Sequence, residues 1–178
     1  EYMATYILLL FLYYVVQPIS TTMNFDYALI LSNKNHYKDF EYFAYTLGLA
    51  VEKAGEIPFQ EAWNNHVLDV IFSEQGTLVC APIRSYNVAA ASAESEVAVM
   101  ALSNNATRFN LECAENGSMK RIYTEEEGIV KRNVKVPLLW EANKIAPEEI
   151  VQEGVLQLTG EAWLNYQHKT AVRYTIIK

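Results

Sequence analysis

Residues 2–25 read YMATYILLLFLYYVVQPISTTMNF, and no charged side chain appears between Glu1 and Asp26. Tyr2 to Val16 is apolar or aromatic except for Thr5. As a helix rising about 1.5 Å per residue, the uncharged stretch would reach about 36 Å, close to the span of a bilayer core. It lacks the basic leader and small-residue cleavage site of a secretory signal peptide. The chain also opens without an initiator Met, which suggests prior processing. The pattern predicts a hydrophobic helix that enters a membrane, a bundle of like helices, or each in turn. Glu1 then has two readings: buried in such surroundings its carboxylate needs a cation and carries a functional expectation, or it sits at the headgroup level in water.

Beyond Pro18 the pattern stays helical and becomes one-sided. Tyr37, Phe40, Phe43, Ala44, Leu47, Ala50, Val51 and Ala54 recur at three- and four-residue steps, with Lys34, Lys38, Glu41, Glu52 and Lys53 mostly off that stripe. Gly55 suits a C-cap and Pro58 a stop. Residues 1–55 therefore predict a helical stalk, hydrophobic over 1–25 and amphipathic over 26–54.

From residue 56 to 178 the periodicity shifts towards two. Val67–Phe72 and Thr77–Ile83 flank a Ser-Glu-Gln-Gly turn, and Arg108–Cys113 and Met119–Tyr123 flank Asn116-Gly117, a strong hairpin signal. Glu96–Leu102, Ile129–Val136, Leu156–Tyr166 and Thr170–Ile177 complete the expected strands. Pro147 to Ile150 suits the start of a helical turn, and Asn87–Ser95 a surface loop. The fold class expected is α+β: a long N-terminal hydrophobic helix followed by an antiparallel, β-sandwich-like head.

The chain has 178 residues and a net charge of −7, which argues against nucleic acid bound through a basic face. Its three histidines (His36, His66, His168) lack ligand spacing, and Cys80 and Cys113 form no CxxC pair. Each histidine is read as a surface or hydrogen-bonded residue. No Walker A loop, GxGxxG or GxSxG is present. No enzyme, cofactor or metal is expected. Cys80 and Cys113 could form one disulfide or remain two buried thiols. Asn105 and Asn116 open N-x-S/T triplets in expected turns and are candidate glycosylation sites.

Glu-Tyr-Met-Ala-Thr-Tyr at 1–6, the aliphatic run after it and a proline at position 18 together resemble the N-terminal segment of archaeal type IV pilin-like proteins. The likeness covers about the first 20 residues, and about 50 by architecture. It departs in one respect: the family usually carries a few residues before its glutamate. The resemblance implies a subunit processed by a prepilin peptidase, membrane-inserted before assembly and then packed with copies of itself in a helical surface filament. It implies that Glu1 pairs with the N-terminal amine of a neighbour. Tyr2, Tyr6, Leu9 and Tyr13 would pack the filament core, and Pro18 would loosen the helix. The other expectation is a single-copy, membrane-anchored subunit or binding domain with an extracytoplasmic sandwich.

Overall fold

A computed structural model describes residues 27–62, 66–103, 107–144 and 146–177. The expected apolar helix over 1–25 lies outside the described residues. The expected amphipathic helix over 26–54 does not form. In its place stand strand β1 (Tyr27–Ser32), the short helix α1 (Phe40–Thr46) and strand β2 (Val51–Pro58).

The reason is local. Phe40, Phe43, Ala44 and Leu47 are the true buried face of a helix. That helix ends at once, because Gly48 adopts φ 91°, a left-handed conformation that stops α-helix propagation. Tyr37 and Ala50 extend the apparent stripe but are exposed. Among the described residues no helix is long and apolar enough to cross a membrane.

The remaining strands are β3 (Val67–Phe72), β4 (Thr77–Pro82), β5 (Glu96–Leu102), β6 (Arg108–Glu115), β7 (Ser118–Glu126), β8 (Ile129–Val134) and β9 (Thr170–Ile176). All nine join in one sheet of order β2-β9-β3-β4-β1-β5-β6-β7-β8. Every pairing is antiparallel. The expected sandwich is therefore a single sheet. β1 lies at its centre and pairs along all six residues with both β4 and β5. Without β1, the strands fall into two groups of four, which is the strand count of two packed sheets. With β1 they are one ladder.

Both faces of the sheet are covered, and side chains alternate between them with period two. Leu29, Leu31, Leu78, Met100 and Leu111 point to one side. There they meet α3 (Pro147–Thr159) through Ile150, Val151, Val155 and Leu158, together with the 3₁₀ turns Phe59–Glu61 and Trp163–His168. Ala28, Ile30, Val70, Val79 and Val97 point to the other side, under α1 and the one-turn helix α2 (Val88–Ala91). Pro147 does open a helix, but that helix runs on to Thr159 and takes in the start of the expected Leu156–Tyr166 strand. The expected loop at 87–95 contains α2.

The tight packing at one end of β1 leaves no room for side chains. A methyl group on Gly76 would lie 2.5 Å from the carbonyl oxygens of both Ser32 and Leu158. The Ser73 hydroxyl, in the same turn, donates to the Thr159 carbonyl at 2.6 Å, which fastens the β3–β4 turn to the end of α3.

Burial along β1 sets a sharp contrast with the sheet margin. Leu31→Ala, at a fully buried site, should lower the unfolding free energy by about 2–5 kcal/mol. Ile129→Ala, on an exposed strand, should change it by no more than about 0.5 kcal/mol. Urea titration of the two variants checks both values.

Candidate functional site

Of the residues singled out in the sequence, Glu1, Tyr2, Tyr6, Leu9, Tyr13, Pro18 and Asn105 lie outside the described residues. Asn116 is exposed in the β6–β7 turn, at φ 51° with Gly117 at 76°, so its side chain is open to solvent. Cys80 and Cys113 are free and buried. They sit on β4 and β6, with β1 and β5 between them. Three strand spacings are about 14 Å, twice the Cα separation a disulfide can bridge. Burial, reinforced by Asp69 near one thiol and Glu96 near the other, pushes both thiols well above their ordinary range. Neither is poised as a nucleophile at neutral pH. Among the described residues no three His, Cys, Asp or Glu side chains gather as metal donors. His66 and His168 are exposed.

His36 is the buried histidine, and it sits in the arrangement most suggestive of chemistry. Its Nε2 lies 3.2 Å from Ser32 Oγ and its Nδ1 lies 3.0 Å from Asp39 Oδ1. The order Ser–His–Asp is that of a nucleophilic triad. Burial decides against that role. Ser32 is wholly enclosed at the end of β1, accepts the Lys34 backbone N–H at 3.2 Å, and lies 3.3 Å from Ser95 Oγ. A substrate carbonyl has no route to its oxygen. The neighbouring hollow, lined in part by His36, Asp39, Tyr42 and Ser95, holds only about 80 Å³.

The cluster instead closes the β1–α1 connection. His36 stacks on Phe43 at 4.0 Å, and its backbone N–H donates to Thr77 Oγ1 at 2.9 Å. Thr77 Oγ1 in turn donates to the Lys34 carbonyl at 2.8 Å. Desolvation lowers the His36 pKa against the opposing pull of Asp39.

Two buried ion pairs complete the polar interior. Arg121, at 1% exposure, places Nε and Nη2 on the Glu141 carboxylate at 2.8 and 2.6 Å. Its Nη1 donates to Asn133 Oδ1 and to the carbonyls of Val134 and Lys135, and its guanidinium lies 5.1 Å from the Tyr123 ring centre. Glu141 also accepts the Leu138 N–H at 3.1 Å. Arg121 thus directs its donors to the end of β8 and the segment that follows it, where Glu141 already supplies its counter-charge. Asp69, fully buried on β3, takes Nε and Nη2 of Arg173, its cross-strand partner on β9, at 2.7 and 2.9 Å.

Neither pair was expected from the sequence. The signal was there, since Asp69, Arg121 and Arg173 each stand inside an otherwise alternating or apolar strand. A charge in that position is buried only with a partner.

What remains open is the margin of the sheet. Among the described residues β8 has a neighbour on one side only, and all six of its residues are exposed. Ile129, Val130 and Val134 on the strand, and Val136 and Leu139 just after it, leave apolar surface in solvent. Lys131, Arg132 and Lys135 stand among them, with no acidic residue between Ile129 and Val136. The opposite margin, β2, carries exposed Glu52, Lys53 and Glu56. Compared with family models, curated proteins and solved structures, the chain matches none.

Two outcomes test these assignments. His36 folds preferentially in its neutral form. Its contribution is therefore complete above the unfolded pKa of about 6.5 and is lost as pH falls below that value. Urea midpoints should drop more between pH 7 and pH 5 for the wild type than for His36→Gln; equal drops would refute the assignment. Glu141→Ala leaves a buried guanidinium without its counter-charge and should cost about 3–5 kcal/mol in the same titration, with Glu141→Gln costing less.

Proposed function

We propose that the chain is a non-catalytic structural subunit, held by its apolar N-terminal segment at a cell surface, and that copies of it assemble into an extracellular filament. The observation that carries this reading is where the uncharged run meets the fold. The run ends at Phe25, and β1, the fifth of nine strands, begins at Tyr27. A tether there pulls on a strand hydrogen-bonded along its whole length to neighbours on both sides. Force applied along such a strand loads its two ladders in shear, so they resist together instead of opening one bond at a time.

The buried polar clusters agree with a structural role. Ser32–His36–Asp39, Arg121–Glu141 and Asp69–Arg173 all spend their hydrogen-bonding capacity within the fold. The likeness to archaeal pilin-like segments rests on residues 1–18, because residues 27–54 belong to the sheet domain and do not lengthen a stalk. The second reading is a single-copy, membrane-anchored binding domain. The free β8 margin favours it, since an open sheet edge can take a strand from another protein.

Electron microscopy of the producing cells separates the two. Filaments of helical symmetry that contain the chain support assembly, and their absence from cells that display it supports the single-copy domain. Glu1→Ala should leave the domain folded, with an unchanged urea midpoint, and should abolish or strongly reduce filaments. Normal filaments from that variant would refute the pairing role of Glu1.

A further inference from the structure

The two margins of the sheet differ in charge, and among the described residues neither has a strand paired to its outer side. We propose that β8 of one copy docks against β2 of the next, a head-to-tail contact that extends the nine-stranded sheet from subunit to subunit. The inference rests on the assembly reading and names the surfaces through which the outward domains touch.

The occupant follows from the charges. Lys131, Arg132 and Lys135 make the β8 margin basic in a chain whose net charge is −7. The β2 margin presents Glu52 and Glu56 with Lys53 between them. None of these six side chains takes part in an ion pair among the described residues. A symmetric contact of β8 with β8 would set the three cations against three cations, which is unfavourable. β8 against β2 sets them against Glu52 and Glu56.

The geometry allows this pairing. β2 and β8 occupy the first and ninth positions of an all-antiparallel sheet and so run in the same direction. A half-turn about the axis that crosses the strands reverses the direction of the incoming copy, and its β2 then lies antiparallel to β8. The contact joins two unlike surfaces, so it leaves a free β8 at one end and a free β2 at the other. Such contacts propagate as open filaments.

Each margin also carries a bulge. On β2 the register passes from Lys53 to Gly55, leaving Ala54 unpaired, and on β8 it passes from Val130 to Arg132, leaving Lys131 unpaired. Bulges shorten the flat length available to an arbitrary strand. Selection of the partner then falls to charge and to the apolar side chains Ile129, Val130 and Val134 on one margin and Val51 and Ile57 on the other.

The test uses the full chain in mild detergent, with mass followed by sedimentation and light scattering as concentration and salt are varied. Wild type should form open-ended oligomers that dissociate as salt rises. Lys131→Glu with Lys135→Glu makes both margins acidic, and Glu52→Lys with Glu56→Lys makes both basic. Each double variant should associate about tenfold or more weakly than wild type, with an unchanged urea midpoint because all four sites are exposed. An equal mixture of the two should recover association, since acidic β8 then meets basic β2 and basic β8 meets acidic β2.

Association that persists unchanged in both double variants, a mixture that stays dissociated, or a monomeric wild type would overturn the contact. Edge-dependent oligomers in solution with no filaments on cells would sink the filament reading while leaving the contact standing. Normal cellular filaments from a double variant would do the reverse.

Discussion

Everything in the domain depends on β1 being paired on both sides. Six residues, Tyr27 to Ser32, supply hydrogen bonds to β4 on one edge and β5 on the other. Their side chains feed both interior layers, with Leu29 and Leu31 under α3 and Ala28 and Ile30 under α1 and α2. If this strand is removed, four strands on each side lose a common edge and two helical layers lose a common floor. No other strand has that position. The β1 ladder is therefore the joint between halves that would otherwise pack as separate sheets.

The buried polar groups protect the ends and flanks of that joint. Where β1 stops, Ser32, His36, Thr77 and Asp39 satisfy one another and the backbone of the turn. Beyond the two flanking halves, Arg173 and Asp69 hold β9 to β3, while Arg121 and Glu141 fold the chain after β8 back onto the sheet. Such pairs add little net stability relative to apolar packing, but breaking one is expensive. Their effect is to penalise alternative registers. A one-residue slip of β9 would strand Asp69 in the core without its guanidinium, because strand residues face opposite sides in turn.

The strands were legible where one signal sufficed. β3, β4, β5 and β9 have bounds within a residue of those the alternation implies, and Asn116-Gly117 makes the expected tight turn. Three elements were not legible, each for a physical reason. β1 reads as helix because it is buried on both faces, and an apolar run without alternation carries no period. The 37–54 stripe merges a true helical face, Phe40 to Leu47, with residues of a following strand, and only the positive φ of Gly48 separates them. Leu156 belongs to α3 although its neighbours alternate, because Gly160 ends the helix later than the pattern suggests. The architecture failed as a consequence of the first. With β1 taken for helix, eight strands imply two sheets. The ion pairs were half visible, as unpaired charges within strands; the pairing itself depends on register, which no local window contains.

The same topology that makes β1 central pushes β2 and β8 to the outside, and evolution treats such margins as hazards to be blunted. Here both are blunted by a bulge, yet their net charges differ in sign: three cations on and just after β8, two carboxylates against one lysine on β2. β8 and the residues just after it hold three cations and no acid, while the acidic excess of the chain lies elsewhere, with two of its carboxylates on the far margin. Simple protection against aggregation needs only charge of some sign on each edge. Like charge on both margins would serve it better, because copies would then repel in every edge-to-edge orientation. Opposite charge on the two margins forbids the symmetric β8 pair and permits the head-to-tail one. In the proposed filament, that asymmetry would give neighbouring copies one favoured way to touch.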